Sequence, residues 1–409
     1  MTTESLDSLI AYYLSDLYRS QRPTILIGGG CQSYKRECRH LLEILNIPAF
    51  PTWNAICVVT SDLPNYGGRV GTYGGAGRNF GIQNSDLLLA IGSRISGRIT
   101  GGAPETFARG AKKYFVDIDP ALLKPEFQQV RADINILCDA GDFMRGLAAV
   151  ADKEDFGGGE RFCDWNNRVR DWKIKYDPVR PEFFEQEAIH PYAFIRTLSR
   201  KMDHNAVFVA DCGGNIVVCN HAFETKWGQR YITNNGNSPM GFSMCGAIGA
   251  WFADPSRQVV CVIGDGGMNM NIQELQTIVN NNVNVKIFIL NNHIYGITKQ
   301  YQEVNFEGRA EACGPKGYNP PNFLRIAGAY RIMNIDVRNQ SEVEHGIDAT
   351  LNYPGPMICD VDCHEFHTYE PRLVGWKSPI EDLSPLLDRK EFQANMLIEP
   401  LPGWETGDY

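Results

Sequence analysis

Two short polar motifs follow apolar runs in the second half of the chain, and their residue types suit metal and phosphate binding. Gly264-Asp265-Gly266 closes the run QVVCVI, and Asn291-Asn292 closes the run VKIFIL. A carboxylate, an amide oxygen and a main-chain carbonyl just beyond them are hard oxygen ligands for a small divalent cation. Such a cation keeps other coordination positions for water and phosphate oxygens. The two motifs therefore predict a site for a divalent cation and a diphosphate.

The residues around these motifs favour the same chemistry. The flanking glycines let the backbone approach a diphosphate, and a helix predicted to begin near Asn269 would add free N–H donors and a favourable dipole. Its apolar face would carry Ile272, Leu275 and Val279. The alternative for either motif alone is structural, an aspartate that caps a helix and an asparagine in a turn. The occurrence of both, each after a buried strand, favours the functional interpretation.

These motifs require parallel strands to place them at one edge of a sheet. Continuous apolar runs predict strands buried on both faces, over 24–28, 87–92 and 114–118 in the first half. In the second half the runs cover 206–210, 258–263, 285–290 and 356–361. We therefore expect an α/β chain with two doubly wound parallel-sheet domains: a first domain over 1–150, a linker over 151–188, a second domain over 189–367 and a surface tail over 368–409. Trp165, Val169 and Trp172 recur at helical spacing inside that linker.

Composition excludes several other classes of protein. With 43% hydrophobic and 21% charged residues the chain is typical of globular proteins. Its net charge of −9 argues against non-specific binding to nucleic acids or anionic membranes. The start lacks a signal peptide pattern and no run is long enough to span a membrane, which predicts a cytoplasmic protein. The 12 cysteines are scattered singly, which predicts no disulfides.

For two further groups of residues, a purely structural role is the alternative to a functional one. Cys359, Cys363, His364 and His367 match no common zinc spacing, so a core cysteine and surface histidines are the favoured interpretation. His293 lies beside the metal motif, where it would hydrogen-bond a substrate or serve as a surface loop residue.

The spacing of the two motifs, with 24 residues between them, resembles the magnesium and diphosphate motif of thiamine diphosphate (ThDP) enzymes. The segment RYITNNGNSPMGFSMCGAIGA over 230–250 resembles the part of acetolactate synthases that supports the middle of that cofactor. The resemblance implies Mg2+ held by Asp265, Asn292 and the carbonyl of Ile294, and a bent cofactor wedged by Met240. The other cofactor-binding residues that it implies are Asn215, Gly241, Gly264, Gly266 and Gly267.

The first half resembles the central domain of the same family. The matching segments are PTILIGGGC, DLLLAIGSRISGRITGG and YFVDIDP. In acetolactate synthases this domain binds FAD in a structural role, whereas relatives bind ADP or nothing there. Carried over, the FAD site would be lined by Gly28, Gly29, Gly71, Gly92, Arg94, Asp117 and Asp139. A Rossmann fingerprint is not predicted, because Gly75-Ala76-Gly77 is followed by Phe at position 80.

The resemblance implies ThDP-dependent decarboxylation of a 2-oxo acid, with pyruvate expected, followed by carboligation. Family members carry an activating glutamate on a pyrimidine-binding domain that these residues do not match, so no catalytic residue is assigned. We expect that domain on another chain, and a homo-oligomer. The alternatives are a ThDP-dependent decarboxylase or oxidase, acetyl transfer to a sugar ketone, and a non-catalytic truncated homologue.

Two departures from the family pattern bear on the substrate. Gly214-Asn215 stands where many acetolactate synthases have a Gln-His pair, and Tyr301 stands where they usually have tryptophan. Ile297 and Tyr301 would shape the substrate pocket. The tail over 369–387 resembles ThDP proteins of surface-sugar biosynthesis, which is why transfer to a sugar ketone is kept as an alternative.

Overall fold

A computed structural model describes residues 4–153 and 161–409 of the chain. The chain divides into two compact units, Met1–Asp177 with Glu370–Tyr409, and Pro178–Tyr369. Each unit contains a parallel sheet with helices on its faces, which confirms the predicted α/β class. Residues 154–160, near the start of the predicted linker, lie outside the described residues.

The first unit is built on five parallel strands in the order β2-β1-β3-β4-β5. The strands are β1 (Pro23–Ile27), β2 (Ala49–Pro51), β3 (Leu87–Ile91), β4 (Lys112–Asp117) and β5 (Ile134–Leu137). Its helices before the second unit are α1 (Leu6–Arg19), α2 (Lys35–Leu45), α3 (Ala76–Gln83), α4 (Gly97–Thr100), α5 (Ala140–Lys153) and α6 (Cys163–Lys175).

Alternate residues of the central strands enter two different cores. Ile25, Leu89 and Val116 pack with α1, α2 and α5 on one face, whereas Leu26 and Leu88 pack on the other. Because successive side chains of a strand point to opposite faces, a strand that is apolar throughout must be covered on both sides. The second face is covered in part by α6, which buries Trp165, Val169 and Trp172 as its spacing predicts.

The second unit is built on six parallel strands in the order β10-β11-β9-β8-β6-β7. The strands are β6 (Val207–Ala210), β7 (Arg230–Ile232), β8 (Val259–Gly264), β9 (Val285–Asn291), β10 (Met333–Val337) and β11 (Met357–Asp362). The helices are α7 (Pro191–Lys201), α8 (Gly213–Ala222), α9 (Phe242–Ala253), α10 (Asp265–Met270), α11 (Leu275–Asn280), α12 (Gly296–Asn305), α13 (Phe323–Ala329) and α14 (Val343–Asn352).

The segment between β8 and β9 differs from the prediction. The helix expected to begin near Asn269 begins directly at Asp265, and a 3-10 turn over Ile272–Glu274 separates α10 from α11. Leu275 is buried, but Ile272 and Val279 are only partly buried against the same core. The apolar spacing therefore identified residues that pack against the core, but it did not show how deeply each is buried or where the helix is interrupted.

The edge strands β7 and β10 were not predicted, because each buries only one of its residues and gives no continuous apolar run. The central strands, in contrast, lie within one or two residues of the predicted bounds. Periodic burial is therefore readable from the sequence mainly for strands that lie inside the sheet.

The C-terminal segment corrects the prediction of a surface tail over 368–409. Residues from Glu370 onward belong to the first unit, and Ile380, Leu383, Leu387 and Phe392 are part of its second core. Helix α15 (Arg389–Asn395) supplies Phe392. The buried carboxylate of Glu381 accepts hydrogen bonds from Arg109 and Gln83, both at 2.6 Å. The proline-rich composition suggested a loose tail, but its spaced apolar residues complete a core.

Within the described residues, no helix combines the length and apolar character needed to cross a membrane. The 12 cysteines all lie in this part of the chain and are free thiols.

Candidate functional site

The strand order of the second unit reverses between β6 and β8, because β7 lies on one side of β6 and β8 on the other. Ligands of open α/β sheets bind in the crevice at the carboxyl ends of the strands beside such a reversal. Asp211 follows β6 and Asp265 follows β8 at this edge. Gly264 pairs with Leu290, which brings Asp265 beside the end of β9 and its Asn291-Asn292 motif.

Asp265 has the properties of a cation ligand. Its side chain is 2% exposed, and Oδ1 accepts the N–H of Gly266 at 2.7 Å. The other oxygen, Oδ2, is buried and has no hydrogen-bond partner among the described residues. Burial raises the pKa of this carboxyl to about 7. A buried carboxylate with a free oxygen is unfavourable unless a cation or a donor meets it, so the residue fits the predicted metal.

Asn292 is oriented by the loop that follows β11. Its Nδ2 donates to the Phe366 carbonyl at 2.7 Å, and its own carbonyl accepts the N–H of Glu365 at 3.0 Å. The amide oxygen is thereby left as the free end of the side chain. The Ile294 carbonyl accepts the N–H of Gly296 at 3.0 Å, which leaves it one further lone pair.

A cation at this edge would depend on amide and main-chain oxygens. In the part of the chain that the structure describes, no group of three or more His, Cys, Asp or Glu side chains is placed to hold a metal. The predicted ligand set contains a single acidic residue, Asp265, and so lies outside that type of site. Few protein ligands are typical of Mg2+ sites that bind a phosphate as well.

Met240 lies against Gly266 of the Gly264-Asp265-Gly266 motif. A Cβ added to Gly266 would lie 3.0 Å from Met240 Cε and 2.7 Å from Tyr295 Cε1. Met240 is 37% exposed, and Gly241 after it adopts a left-handed conformation with φ of 84° before α9 begins. A side chain at Gly241 would lie 2.6 Å from Asn271 Nδ2, so this turn needs glycine.

Asp211 organises this turn, and the sequence analysis did not single it out. Its side chain is 3% exposed and accepts the N–H groups of Gly241 and Ser243, each at 3.1 Å. A Cβ added to Gly267 would lie 2.1 Å from Asp211 Oδ2. Burial raises the pKa of Asp211 above its usual value. The sequence does contain a signal for Asp211, since this acidic residue directly follows a buried strand and precedes Cys212 and two glycines.

Asn215 lies in the first turn of α8 with a free donor. Its Oδ1 accepts the N–H of Asp211 at 3.2 Å, whereas its Nδ2 is buried and has no hydrogen-bond partner within the described ranges. The orientation fits the predicted role of Asn215 as a hydrogen-bond donor to a ligand.

The two predicted substrate residues on α12 have different surroundings. Ile297 lies beside α8, since its Cγ2 would be 3.5 Å from a Cβ added to Gly213. Tyr301 is 61% exposed and its ring lies 6.1 Å from that of Phe306. Ile297 therefore lies close to the residues described above, whereas the side chain of Tyr301 is mostly exposed.

The structure also shows the surroundings of His293 and of the four Cys and His residues that were compared with a zinc site. Cys359 and Cys363 are buried, His364 is exposed, and His367 Nε2 lies 3.1 Å from Glu303 Oε2. His293 Nε2 lies 3.3 Å from Asp362 Oδ1 beside the metal motif. Burial raises the pKa of the Cys359 thiol to about 12, which fits a cysteine in the core.

The first unit has the corresponding reversal of strand order between β1 and β3. Gly28 and Gly92 follow these two strands, and a Cβ added to Gly28 would lie 2.0 Å from the Gly92 carbonyl oxygen. A Cβ on Gly29 would lie 3.0 Å from Asn54 Cβ, and one on Gly71 2.6 Å from the Arg98 carbonyl oxygen. These glycines are therefore needed for close packing of the loops at the expected ligand edge.

The polar residues predicted for the FAD site have local partners or are exposed. Asp139 accepts the N–H of Gly141 at 2.8 Å and the hydroxyl of Tyr34 at 2.7 Å, so it caps α5. Asp117 accepts the N–H of Asp119 at 3.0 Å. Arg94 is exposed, and Ile118 directly after β4 is 67% exposed. An exposed guanidinium and an apolar side chain at this edge suit a nucleotide with a phosphate and a planar ring.

The similarity of the chain to known proteins agrees with this geometry. Residues 10–147 match the family described as thiamine pyrophosphate enzyme, central domain, and residues 211–361 match thiamine pyrophosphate enzyme, C-terminal TPP binding domain. The chain belongs to the thiamine pyrophosphate enzymes. Thiamine pyrophosphate is another name for ThDP, so the recognition from the sequence is confirmed. The matches cover the first sheet, most of the second sheet without β6, and the site at Asp265.

Acetolactate synthase large subunits are among the proteins to which the chain is similar. The chain is 30% identical over 354 residues to a probable acetolactate synthase large subunit of Methanococcus aeolicus, covering 83% of the chain and 58% of the relative. It is 29% identical over 374 residues to the isozyme 2 large subunit of Escherichia coli (strain K12), covering 90% and 65%. The chain thus spans less than two thirds of the length of these relatives.

Proposed function

We propose that this chain is the cofactor-binding part of an acetolactate synthase-like enzyme that decarboxylates a 2-oxo acid, pyruvate first, and joins the acetyl unit to a carbonyl acceptor. The observation that carries the proposal is the buried Asp265 carboxylate with one free oxygen, beside the oriented amide of Asn292. The similarity to acetolactate synthase large subunits supports the reaction class. This class places the enzyme among transferases and lyases.

Each site residue has a role in this proposal. Asp265, Asn292 and the Ile294 carbonyl would hold Mg2+, while Gly264, Gly266 and Gly267 let the diphosphate approach the backbone.

Met240 would keep the rings of the cofactor bent, and Ile297 would line the space for the 2-oxo acid. When bound, ThDP supplies a nucleophilic carbon for the carbonyl of the 2-oxo acid and takes up the electrons left by departing CO2.

The proposal assigns activation of the aminopyrimidine ring to a glutamate on a pyrimidine-binding domain outside residues 1–409, whether on the same polypeptide or on another subunit. The chain's own residues would bind and orient the cofactor. We also expect a homo-oligomer, which light scattering of the purified protein would measure.

The test is calorimetric titration of the chain with ThDP and Mg2+, repeated with Asp265→Asn. The wild type is expected to bind only with the metal present, and the variant to lose at least about tenfold in affinity, since one charge-assisted metal contact is removed. Asp348→Asn is the matched control, because Asp348 is an exposed residue of the same unit, paired with Lys201 at 2.9 Å. Binding that is equal in all three proteins would refute the proposed site.

A readout without cofactor accompanies this titration. Asp265→Asn should raise the thermal stability of the cofactor-free chain, because a neutral amide replaces a buried carboxylate whose Oδ2 has no partner among the described residues. Asp348→Asn should leave it unchanged.

FAD in the first unit is a separate part of the proposal. It is supported by the position of Gly28, Gly92 and Arg94 at the reversal of strand order. Flavin absorbance in the purified protein, or its appearance on titration with FAD, tests it. A protein that takes up ADP but no flavin would favour a nucleotide site of a different kind.

A further inference from the structure

A cavity of about 480 Å3 lies at the amino edge of the first sheet. Its walls come from the turn between α1 and β1, the start of α6 and the C-terminal segment, all in the first unit. Gly28 and Gly92, in contrast, follow their strands at the opposite edge. The five residues of β1 separate the two edges by about 16 Å. The cavity is therefore separate from the expected FAD site.

Three arginines and one acidic residue line this cavity. The arginines are Arg22, Arg161 and Arg168, and the acid is Asp164. Among the described residues, none of the three guanidinium groups forms an ion pair with a carboxylate. Asp86 lies beside Arg22, but its oxygens accept two main-chain N–H groups. The cavity therefore carries a local positive charge, in a chain with a net charge of −9, and an anion would neutralise it.

Each guanidinium is held by a ring or a carbonyl, which leaves further donors for a ligand. Arg161 lies over the ring of Tyr18 at 4.2 Å and donates to the Tyr18 carbonyl. Arg22 Nε donates to the Asn84 carbonyl at 2.7 Å, so its terminal nitrogens remain for a ligand. Arg168 lies over a tryptophan ring of its own helix at 5.7 Å. Guanidinium groups that are already oriented suit the oxygens of a phosphate.

The cavity also has an apolar wall. Phe162 and Trp165 are buried beside it, and Trp165 Nε1 donates to the Pro23 carbonyl at 2.9 Å, so this ring presents no free donor. Leu397, from the C-terminal segment, is exposed and lines the cavity as well. A volume of 480 Å3 is typical of small-molecule sites and is much larger than a phosphate needs. The cavity therefore has room for an apolar or aromatic group beside the anion.

We propose that this cavity binds a small phosphate ester, with the phosphate on Arg22, Arg161 and Arg168 and the apolar or aromatic group against Phe162 and Leu397. Arg161 and Arg168 are exposed, so a ligand reaches them directly from solution. The inference does not rest on the proposed function, because it uses no residue of the second unit.

The test is calorimetric titration of the full chain with phenyl phosphate and with inorganic phosphate, without Mg2+, so that the proposed metal-dependent site does not contribute. The wild type should bind phenyl phosphate at least about tenfold more tightly, because the ring buries apolar surface. Arg168→Gln should bind both probes about 10- to 100-fold more weakly, since it loses a charge-assisted contact. Arg170→Gln should bind like the wild type, because Arg170 is an exposed residue of α6 outside the cavity, bonded to Asn167 at 2.8 Å.

Two further measurements separate binding from folding. Without a probe, Arg168→Gln should unfold thermally like the wild type, because its side chain is exposed. Added phenyl phosphate should raise the unfolding temperature of the wild type more than that of Arg168→Gln. Leu397→Ser should weaken binding of phenyl phosphate but not of inorganic phosphate. Leu386→Ser, at a position of the same segment with the same 41% exposure, should change neither.

Three outcomes would overturn the inference. If the wild type binds phenyl phosphate and Arg168→Gln binds it as tightly as Arg170→Gln does, the anion is bound elsewhere and the proposed site is refuted. Absence of binding of both probes at millimolar concentration refutes it as well. Equal affinity of the wild type for the two probes would refute the part of the site assigned to the apolar group.

Discussion

Replacing Asp211 by asparagine tests how the second unit builds its ligand edge. Both carboxylate oxygens are used, with Oδ2 accepting the N–H of Gly241 and Oδ1 that of Ser243, each at 3.1 Å. An asparagine of the same shape retains one acceptor and turns an NH2 group toward the other N–H. The variant therefore places two donors against each other in a buried site beside Gly267.

The magnitude follows from opposing contributions. A hydrogen bond to a charged group is worth about 1.5–3 kcal/mol, and leaving a buried N–H without an acceptor adds about 1–3 kcal/mol. Removing the buried charge offsets part of this loss, because burial disfavours the carboxylate and raises its pKa. We expect the lost hydrogen bonds to outweigh the relief of the buried charge, so Asp211→Asn should lower the free energy of unfolding by about 1–3 kcal/mol.

Denaturant unfolding of the cofactor-free protein measures this value, with Asp348→Asn as the control that changes an exposed ion pair by less than ~1 kcal/mol. Because Asp211 fixes the turn that carries Met240, the variant should also bind ThDP with Mg2+ more weakly in calorimetry. Unfolding within about 0.5 kcal/mol of the wild type together with unchanged ThDP binding would refute the reasoning.

Three further predictions concern stability. Phe392→Ala should cost about 3–5 kcal/mol in denaturant unfolding, because this C-terminal residue is 1% exposed in the second core of the first unit. Lys286→Met should cost about 2–4 kcal/mol in the same assay, since Nζ donates to an amide oxygen at 2.6 Å and to two carbonyls at 2.5 and 2.6 Å. Burial, aided by Arg180, lowers the pKa of His190 from 6.5 to about 4. Stability should therefore be unaffected by this group above pH 6.5 and fall as the pH drops from 6.5 to 4, where the unfolded chain binds the proton and the folded chain does not. The full difference corresponds to at most ~3.4 kcal/mol, and partial exposure of the ring reduces the expected loss to about 2 kcal/mol. Unfolding curves of wild type and His190→Asn across that pH range should differ by this amount.

Each of these three stability predictions has a matched control variant and an outcome that would contradict it. Leu386 is 41% exposed, so Leu386→Ala should lower the free energy of unfolding only slightly. If Phe392→Ala lowered it by no more than this, the C-terminal segment would not be part of the core. Lys316→Met changes an exposed lysine of the second unit, and a Lys286 variant as stable as this one would contradict the carbonyl contacts. Parallel pH profiles for wild type and His190→Asn would show that His190 titrates normally.

Much of the architecture and of the candidate metal site can be predicted from the sequence. Strands such as Val259–Gly264 and Val285–Asn291 are buried on both faces, so their apolar runs are continuous and visible locally. The polar residues that end them, Asp265 and Asn292, must then lie at the carboxyl edge of the sheet, because parallel strands bring equivalent ends together. The sequence by itself therefore determined the sheet class and the residues suited to a cation.

Only the tertiary structure decided which distant residues complete that edge. Asp211 meets Gly241, and Tyr369 meets Gly214 and Gly296, through contacts between segments far apart in the chain. Periodicity reports whether a residue is buried but not what it is buried against, and a glycine does not reveal whether its empty side faces a ligand or another side chain. The sequence did not reveal that the C-terminal segment returns to the first unit, for the same reason. Its apolar residues form a core only because they pack on the second face of the first sheet.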